Sequence, residues 1–275
     1  FYQFPVGSDF TVTVGGRVRQ DDMLAMWPSA YPADTVLDVF TYAGSPAAYS
    51  LNLGAGAGIW YKKNNWNASI NYVAQDGQVG NPSAGGIGTD GSSQTFTAQV
   101  GYAASNWGAA VAYTYANGAS IPAGTPLASF GNFNGFSDFF NEGITANTIG
   151  LSAYWQPSQS GWVPSISTGC GITGLSGTSD FFAPGGSLTG TRIQSWYVGL
   201  QWADAFIKGN ALGMAVGQTP FVTSNPDSVG GNPNDGNYAW EWWYKFQVTD
   251  NISVTPAIYY LSQTAGQLGK GDGST

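Results

Sequence analysis

Few residues in this chain could carry catalytic chemistry. The 275 residues include no histidine and one cysteine, Cys170. A Ser-His-Asp triad, a Cys-His pair and the common zinc sites need histidine or several cysteines, so all three are excluded. The adjacent carboxylates Asp21 and Asp22 could form a catalytic or metal-binding pair. Without a helper histidine, a solvated or pore-facing pair is the better interpretation, and no metal site is predicted.

Two glycine-rich stretches resemble nucleotide-binding motifs only in part. Gly54, Gly56 and Gly58 alternate with other residues inside a strand pattern, whereas the dinucleotide fingerprint needs a tight turn followed by a helix. The tail Gly269-Lys270-Gly271 lacks the Ser or Thr that follows the lysine of a P-loop. We therefore expect no cofactor. The net charge of -8 and the lack of a basic patch likewise predict no nucleic-acid partner.

The charged residues inside the strand patterns are more informative. Arg17 and Arg19 alternate onto the same face as Thr11 and Thr13, and Glu241 shares a face with Lys245. An Arg or Lys facing lipid costs roughly 2–4 kcal/mol at the bilayer midplane, so these side chains are predicted to point inward. Two interpretations stay open: a pore lining that sets ion selectivity, or internal Glu241–Lys245 and Arg–Asp pairs that hold the wall. The predicted pore-lining set is Arg17, Arg19, Asp21, Asp22, Glu241 and Lys245.

The elements that must position these residues are β-strands. Apolar residues recur with a period of 2 along the chain, and no uninterrupted apolar run approaches the roughly 20 residues that a membrane-spanning helix needs. About eleven strands are predicted, with a twelfth ending near Val6 and a bulge at Pro256. Charged residues make up only 9% of the chain, against about 25% in soluble domains. One strand face is apolar and the other small and polar, so the sheet must close into a membrane-spanning barrel.

Short polar turns alternate with long Gly-, Pro-, Asn- and Ser-rich connections. Aromatic residues flank the short turns, which is typical of the aromatic ring where a barrel meets the membrane interface. Cross-strand aromatic pairs in a soluble sheet are the alternative. The predicted girdle consists of Tyr61, Trp66, Tyr102, Trp107, Trp155, Trp162, Trp202 and Phe206.

The long segment between Gln20 and Tyr49 is unusually apolar for an exposed connection. Apolar residues there must be buried against something, and the barrel interior is the nearest cover. We expect this segment to fold toward the pore and narrow it, with a lid over the mouth as the competing interpretation. The constriction residues are predicted to be Met23, Leu24, Trp27, Asp34 and Asp38.

Three stretches resemble the cyanobacterial outer-membrane porins, which are related to the carbohydrate-selective porin group. They are Gly16–Leu24 with Trp27–Pro32, Lys208–Gly213 and Val248–Ile258. The resemblance implies a trimeric, up-and-down transmembrane antiparallel β-barrel of 16 strands when complete, in the bacterial outer membrane. It further implies passive diffusion of inorganic ions and small hydrophilic solutes.

The whole chain, residues 1–275, is expected to be one porin barrel region without the N-terminal strands, a wall-anchoring domain or the last strand. The alternative from another class is a soluble β-propeller or a lectin-like carbohydrate-binding protein. An outer-membrane hydrolase is disfavoured because histidine is missing.

Overall fold

Antiparallel β-strands make up nearly all of the regular structure. The computed structural model describes residues 1–32, 36–118, 121–129, 144–179, 186–225 and 233–266. One short helix, α1, spans Pro126–Ser129, and 3₁₀ turns span Gln20–Met23 and Asp38–Thr41. The strands are β1 (Tyr2–Val6), β2 (Phe10–Arg19), β3 (Leu53–Lys63), β4 (Trp66–Ala74), β5 (Gln94–Ala103), β6 (Trp107–Asn117), β7 (Thr145–Trp155), β8 (Ser165–Ser176), β9 (Thr178–Ser179), β10 (Gly186–Ser187), β11 (Arg192–Ala203), β12 (Ala211–Ser224), β13 (Tyr238–Thr249), β14 (Ile252–Val254) and β15 (Ala257–Ser262).

Thirteen of these strands form one continuous sheet. Their order follows the chain from β1 to β8 and then through β11, β12 and β13, while β14 and β15 both pair with β13. Strands β9 and β10 form a separate two-stranded ribbon. The predicted all-β, up-and-down antiparallel arrangement is confirmed. A β-propeller is contradicted, because its blades would be separate sheets of four strands. Within the described residues, β1 does not pair with β14 or β15.

Proline accounts for the difference between twelve predicted strands and thirteen observed ones. The last predicted strand is divided into β14 and β15 around Pro256, which has no N–H to donate to a ladder. Val254 pairs with Phe246 and Ala257 with Trp243, so the register is the same on both sides of the interruption. The predicted bulge at Pro256 is therefore wrong. The strand is interrupted there without an extra residue.

A bulge does occur in β2, and it changes which residues face inward. Gly15 pairs with Gly56, whereas Val18 pairs with Gly54, so β2 holds one more residue than β3 over this stretch. An extra residue reverses the side-chain alternation beyond it. Val18 is fully buried, and Arg17 and Arg19 on either side of it are exposed. The prediction that these arginines share the inner face with Thr11 and Thr13 is wrong.

The two faces of the sheet have opposite character. The outward face carries exposed aliphatic residues, of which Val100 is 55% and Ile149 53% accessible. The inward face is lined by small polar side chains that are almost completely buried. The inward set includes Asn67, Ser69, Asn71, Thr97, Gln99, Thr114, Thr148, Ser152, Thr173 and Ser195. This distribution is the reverse of that in a soluble protein, where apolar side chains are the ones removed from water.

The polar inward face is buried because one segment of the chain lies against it. Residues 20–52, called here the inner segment, connect β2 to β3, and all but residues 33–35 are described. The segment contacts the wall from Val73 on β4 to Trp243 on β13. A sheet that surrounds a single segment on so many strands is strongly curved. No helix within the described residues is long and apolar enough to cross a membrane.

The bulge in β2 can be tested by single-cysteine labelling in a chain whose Cys170 has been replaced by Ser. We expect V18C to resist a water-soluble maleimide, because Val18 is buried with Met23 and Val73. We expect R19C to react quickly. The label is quantified by mass spectrometry. Rapid labelling of V18C together with slow labelling of R19C would show that β2 keeps its strict alternation and has no bulge.

Candidate functional site

Glu241 on β13 holds the inner segment against the far side of the wall. Its side chain is 0% accessible. The hydroxyl of Tyr31 donates to Oε1 over 2.8 Å, and the backbone N–H of Leu37 donates to Oε2 over 2.7 Å. The indole N–H of Trp243 in turn donates to the Tyr31 hydroxyl over 2.9 Å. Burial, reinforced by the nearby Glu241, raises the pKa of Tyr31 far above its usual range, so this hydroxyl remains a donor.

The opposite end of the inner segment is bound through Gln20 and Tyr49. The Gln20 side-chain amide donates to the hydroxyl of Thr97 on β5 and to the carbonyl oxygen of Ala48. The Tyr49 hydroxyl donates to Oε1 of Gln99 over 2.8 Å. Burial also raises the pKa of Tyr49 well above its usual range. Both tyrosines are therefore neutral, and the segment is fixed at two separate places on the wall.

Glycine residues in the wall let the backbone of the inner segment approach closely. A Cβ atom on Gly169 of β8 would overlap the carbonyl oxygen of Ala43, and one on Gly44 would overlap Gly169. Gly44 also has a positive φ of 80°, which side-chain-bearing residues rarely adopt. A Cβ at other wall glycines would likewise press on the segment: Gly58 on Met23, Gly101 on Met26, Gly150 and Gly171 on Ser45, and Gly199 on the ring of Tyr31.

The structure places most of the predicted constriction residues inside the sheet. Met23 is buried beside Val18 and Val73. Leu24 and Trp27 pack against a cluster that contains Tyr49, and the Trp27 and Tyr49 rings meet edge to face at 5.1 Å. Asp38 begins a 3₁₀ turn and is exposed. Asp34 lies outside the described residues.

The predicted pore-lining residues are not brought together in one place. Glu241 and Lys245 both face inward on β13, as predicted, and Glu241 bonds the inner segment. Arg19 forms an ion pair with Asp21 instead of projecting into the interior, and its backbone N–H donates to Asp22. Of the interpretations left open by the sequence, an Arg–Asp pair holding the wall fits Arg19 and Asp21.

The predicted aromatic girdle lies along one edge of the sheet on the outward face. The rings of Trp66 and Tyr102 meet at 5.2 Å, and those of Tyr102 and Trp107 at 5.1 Å. Trp107 is directly opposite Trp155. The Trp202 indole N–H donates to the carbonyl oxygen of Trp162 over 2.9 Å. Tyr61, on β3, contacts Phe10 with the two rings tilted by 47°, and Phe206 is exposed in the turn between β11 and β12.

A second row of aromatic residues lies on the outward face nearer the long connections, and the sequence analysis missed it. On each of five strands, one aromatic residue lies beside the short turn and a second lies six residues further along the strand. The two are about 20 Å apart. Because the spacing is even, both residues lie on the same face of the strand. This constant spacing is the sequence signal that predicts the second row. The five pairs are Trp66 with Tyr72, Tyr102 with Phe96, Trp107 with Tyr113, Trp202 with Trp196, and Tyr244 with Tyr238.

Polar tips in this second row are hydrogen-bonded to outward-facing amides. The Tyr113 hydroxyl donates to Asn147 over 2.6 Å, and the Trp196 indole donates to Gln218 over 2.7 Å. The Tyr72 hydroxyl bonds to Gln94. Amphipathic rings whose polar ends are satisfied in this way are suited to a boundary between hydrocarbon and water.

A smaller inward-folded group covers the interior near the long connections. Leu127 and Ala128 of α1 pack on Leu175, Ile193 and Val222 from β8, β11 and β12. Asp235, fully buried, accepts from the Thr125 hydroxyl and from the backbone N–H of Val222 over 2.8 Å. Within the described residues no group of three or more His, Cys, Asp or Glu side chains could hold a metal ion.

Comparison with known proteins gives distant similarities. No protein-family model matches the chain. It is 26% identical over 276 residues to the uncharacterized protein sll0772 of Synechocystis sp., which covers 95% of this chain and 49% of that protein. It is 29% identical over 155 residues to the uncharacterized protein alr4550 of Nostoc sp., and this match covers 56% of this chain and 23% of that protein. The chain thus spans half or less of the length of these two relatives.

Among solved structures, the chain is similar to OprB of Pseudomonas putida, determined at high pH. The TM-score is 0.49 and the sequence identity 14%, with 94% of this chain and 66% of that chain covered.

Replacing Glu241 should release the Tyr31 end of the inner segment. E241L removes the acceptor from the Tyr31 hydroxyl and the Leu37 amide, and each buried donor left unpaired costs about 1–3 kcal/mol. We expect faster chymotryptic cleavage after Phe40 and Tyr42, measured by mass spectrometry on folded protein. E241Q, which keeps one acceptor oxygen, should be intermediate. Equal cleavage of E241L and wild type would show that Glu241 does not hold the segment.

The close approach between wall and segment can be tested at two glycines of the same strand. G169A should displace the inner segment, because the added methyl group overlaps Ala43. G174A on β8 is the matched control, because its methyl group meets nothing within 4 Å. We expect a lower unfolding temperature and faster proteolysis for G169A alone. Indistinguishable behaviour of the two variants would contradict the tight contact.

Proposed function

We propose that this chain forms the wall of an outer-membrane channel through which inorganic ions and small hydrophilic solutes diffuse passively. The observation that carries the proposal is the reversed polarity of the sheet, with apolar side chains exposed outward and polar side chains buried inward. Two rows of aromatic residues border the apolar band, as girdles do in membrane barrels.

Exposing the apolar side chains of the outward face costs free energy in water, whereas their contact with a bilayer is favourable. Each Val, Leu or Ile side chain gains about 1.5–3 kcal/mol on transfer out of water, and the band contains many such residues. Large exposed ones include Ile70, Val100, Val111, Ile149, Leu151 and Ile172. A soluble lectin-like protein would leave this band exposed to water, so the membrane interpretation is favoured.

The inner segment is proposed to be the constriction of the channel. It already covers the inward face from β4 to β13, so solutes would pass along its side that faces away from the wall. Val36 and Asp38 are exposed there. The lid interpretation is disfavoured, because the described parts of the segment hydrogen-bond to inward-facing residues at mid-strand positions such as Gln99 and Glu241.

A homotrimer embedded in the bilayer is proposed for the assembled state. Small outward-facing residues on three adjacent strands, Ala109, Ala153 and Thr168, are in register. They lie in a shallow groove of about 550 Å³ that larger residues such as Tyr102 and Trp196 also line. Such a row would let a second copy pack closely. Cross-linking in mild detergent tests this assignment, and exclusive recovery of monomers would contradict it.

Planar-bilayer recording of the full protein tests the channel itself. We expect discrete, ohmic conductance steps in KCl. Deletion of residues 24–42 should increase the step size, because it clears the interior and exposes a wall that is polar and tolerates water. Shortening the connection at residues 78–90, which lies outside the inner segment, is the control. Absence of steps would refute a channel, and unchanged steps after the first deletion would refute the constriction.

A further inference from the structure

The charged side chains on the inward face of the strands are distributed unevenly along the channel axis. Among the described strands, the inward positions carry Glu241, Lys62 and Lys245 as charged residues. Glu241 is buried and binds Tyr31 and Leu37, so it is shielded from the interior space. The two lysines remain as the charges that a passing solute could meet on the wall.

Both lysines lie at the end of the sheet that carries the short turns. Lys62 follows Tyr61 of the first aromatic row, and Lys245 follows Tyr244. Their register confirms the inward direction. Lys62 opposes Asn67, which bonds Met26 of the inner segment. Lys245 opposes Ala211, which packs against the buried group that contains Tyr31 and Trp243. The strand ends here extend beyond the cover of the inner segment, because Lys62 is exposed and Lys245 half-buried.

Acidic residues lie in the connections at the opposite end of the sheet. Asp22 directly follows β2, and Asp76 and Asp90 lie in the connection between β4 and β5. At the short-turn end two carboxylates are engaged, while Asp250, in the turn after β13, is exposed. Asp9 pairs with the outward-facing Lys63 at 3.0 Å, and Asp204 accepts from the backbone N–H of Gly209. The other inward neighbours there, Gln201 and Gln247, are uncharged.

We propose that Lys62 and Lys245 form an anion-attracting vestibule at the short-turn end and set the ion preference of the channel. This inference rests on the proposed channel function. It assigns the preference to these lysines rather than to Arg17 and Arg19, which the bulge in β2 turns away from the interior. The ligands are small anions such as chloride, phosphate or carboxylates. Ammonium groups on flexible stems attract them as point charges without a fixed binding geometry.

The expected size of the effect follows from Coulomb's law in water. A unit charge about 8 Å from an ion changes its local concentration by roughly 1.5- to 2.5-fold at 0.1 M salt. A lysine raises the concentration of anions and lowers that of cations, so both changes enter the permeability ratio. Removing both lysines should therefore lower the ratio of chloride to potassium permeability by roughly threefold or more.

The experiment measures the reversal potential of K62Q/K245Q channels in a KCl gradient. Glutamine keeps much of the stem and removes the charge, so we expect a shift toward potassium. K63Q is the matched control, because Lys63 is the next residue on β3 but faces outward and pairs with Asp9. K62R/K245R retains both charges and should keep the wild-type reversal potential. It controls for an effect of altered packing.

The outcomes separate this inference from the function on which it rests. Wild-type channels that conduct, with a reversal potential unchanged in K62Q/K245Q, would overturn the vestibule and leave the channel intact. An equal shift in K63Q would also overturn it, because the effect would then follow the overall charge. If K62Q/K245Q does not fold, the single variants K62Q and K245Q replace it, each with about half of the shift. A wild-type protein without conductance would refute the channel and this inference together.

Discussion

The structure depends on a polar inward face that must find hydrogen-bond partners away from bulk water. Serine, threonine, asparagine and glutamine side chains on this face are nearly all buried, and a buried polar group without a partner costs about 1–3 kcal/mol. The inner segment supplies many of the partners from its own backbone. Ser152 and Ser195 donate to the carbonyl oxygens of Ala43 and Gly44, and Ser167 accepts from the N–H of Ala30 and of Tyr31.

This pairing of wall side chains with segment backbone explains why both glycine and small polar residues are needed. Where the segment backbone bonds directly to a serine of the wall, the neighbouring wall positions must be small enough to let it approach. Gly169 and Gly171 lie on the same face of β8 as Ser167 and Thr173, so one strand provides both the space and the donors. The abundance of glycine that the composition shows, 40 residues, is therefore partly a consequence of filling the interior with a chain segment.

Much of the fold was predictable from the sequence, because a strict period of 2 and short aromatic-flanked turns are local signals. The strands, their antiparallel order and the first aromatic row follow from such signals. The inward position of Met23, Leu24 and Trp27 follows from a different signal, the apolar content of a long connection. The bulge in β2 lies between Gly15 and Val18, and the Gly15-Gly16 pair was a signal for it, because a glycine inside a strand pattern suggests a bulge. Its cause is tertiary: Val18 is drawn to the inner face by Met23 and Val73.

The charged residues that face the interior were harder to identify, because strand register and distant contacts decide where they point. Lys62 and Lys63 are adjacent at the end of β3, and only the register against Asn67 and Trp66 separates an inward from an outward ammonium group. The sequence pattern of Glu241 is that of a pore-lining charge. In the structure, two donors from a segment about 200 residues earlier in the chain hydrogen-bond to its carboxylate oxygens. Apart from the buried Glu241, the inward side chains in the middle of the described strands are hydrogen-bonded and uncharged. In the proposed channel, the wall charges in contact with water lie toward the strand ends, where salt screens them from each other over about 8–10 Å.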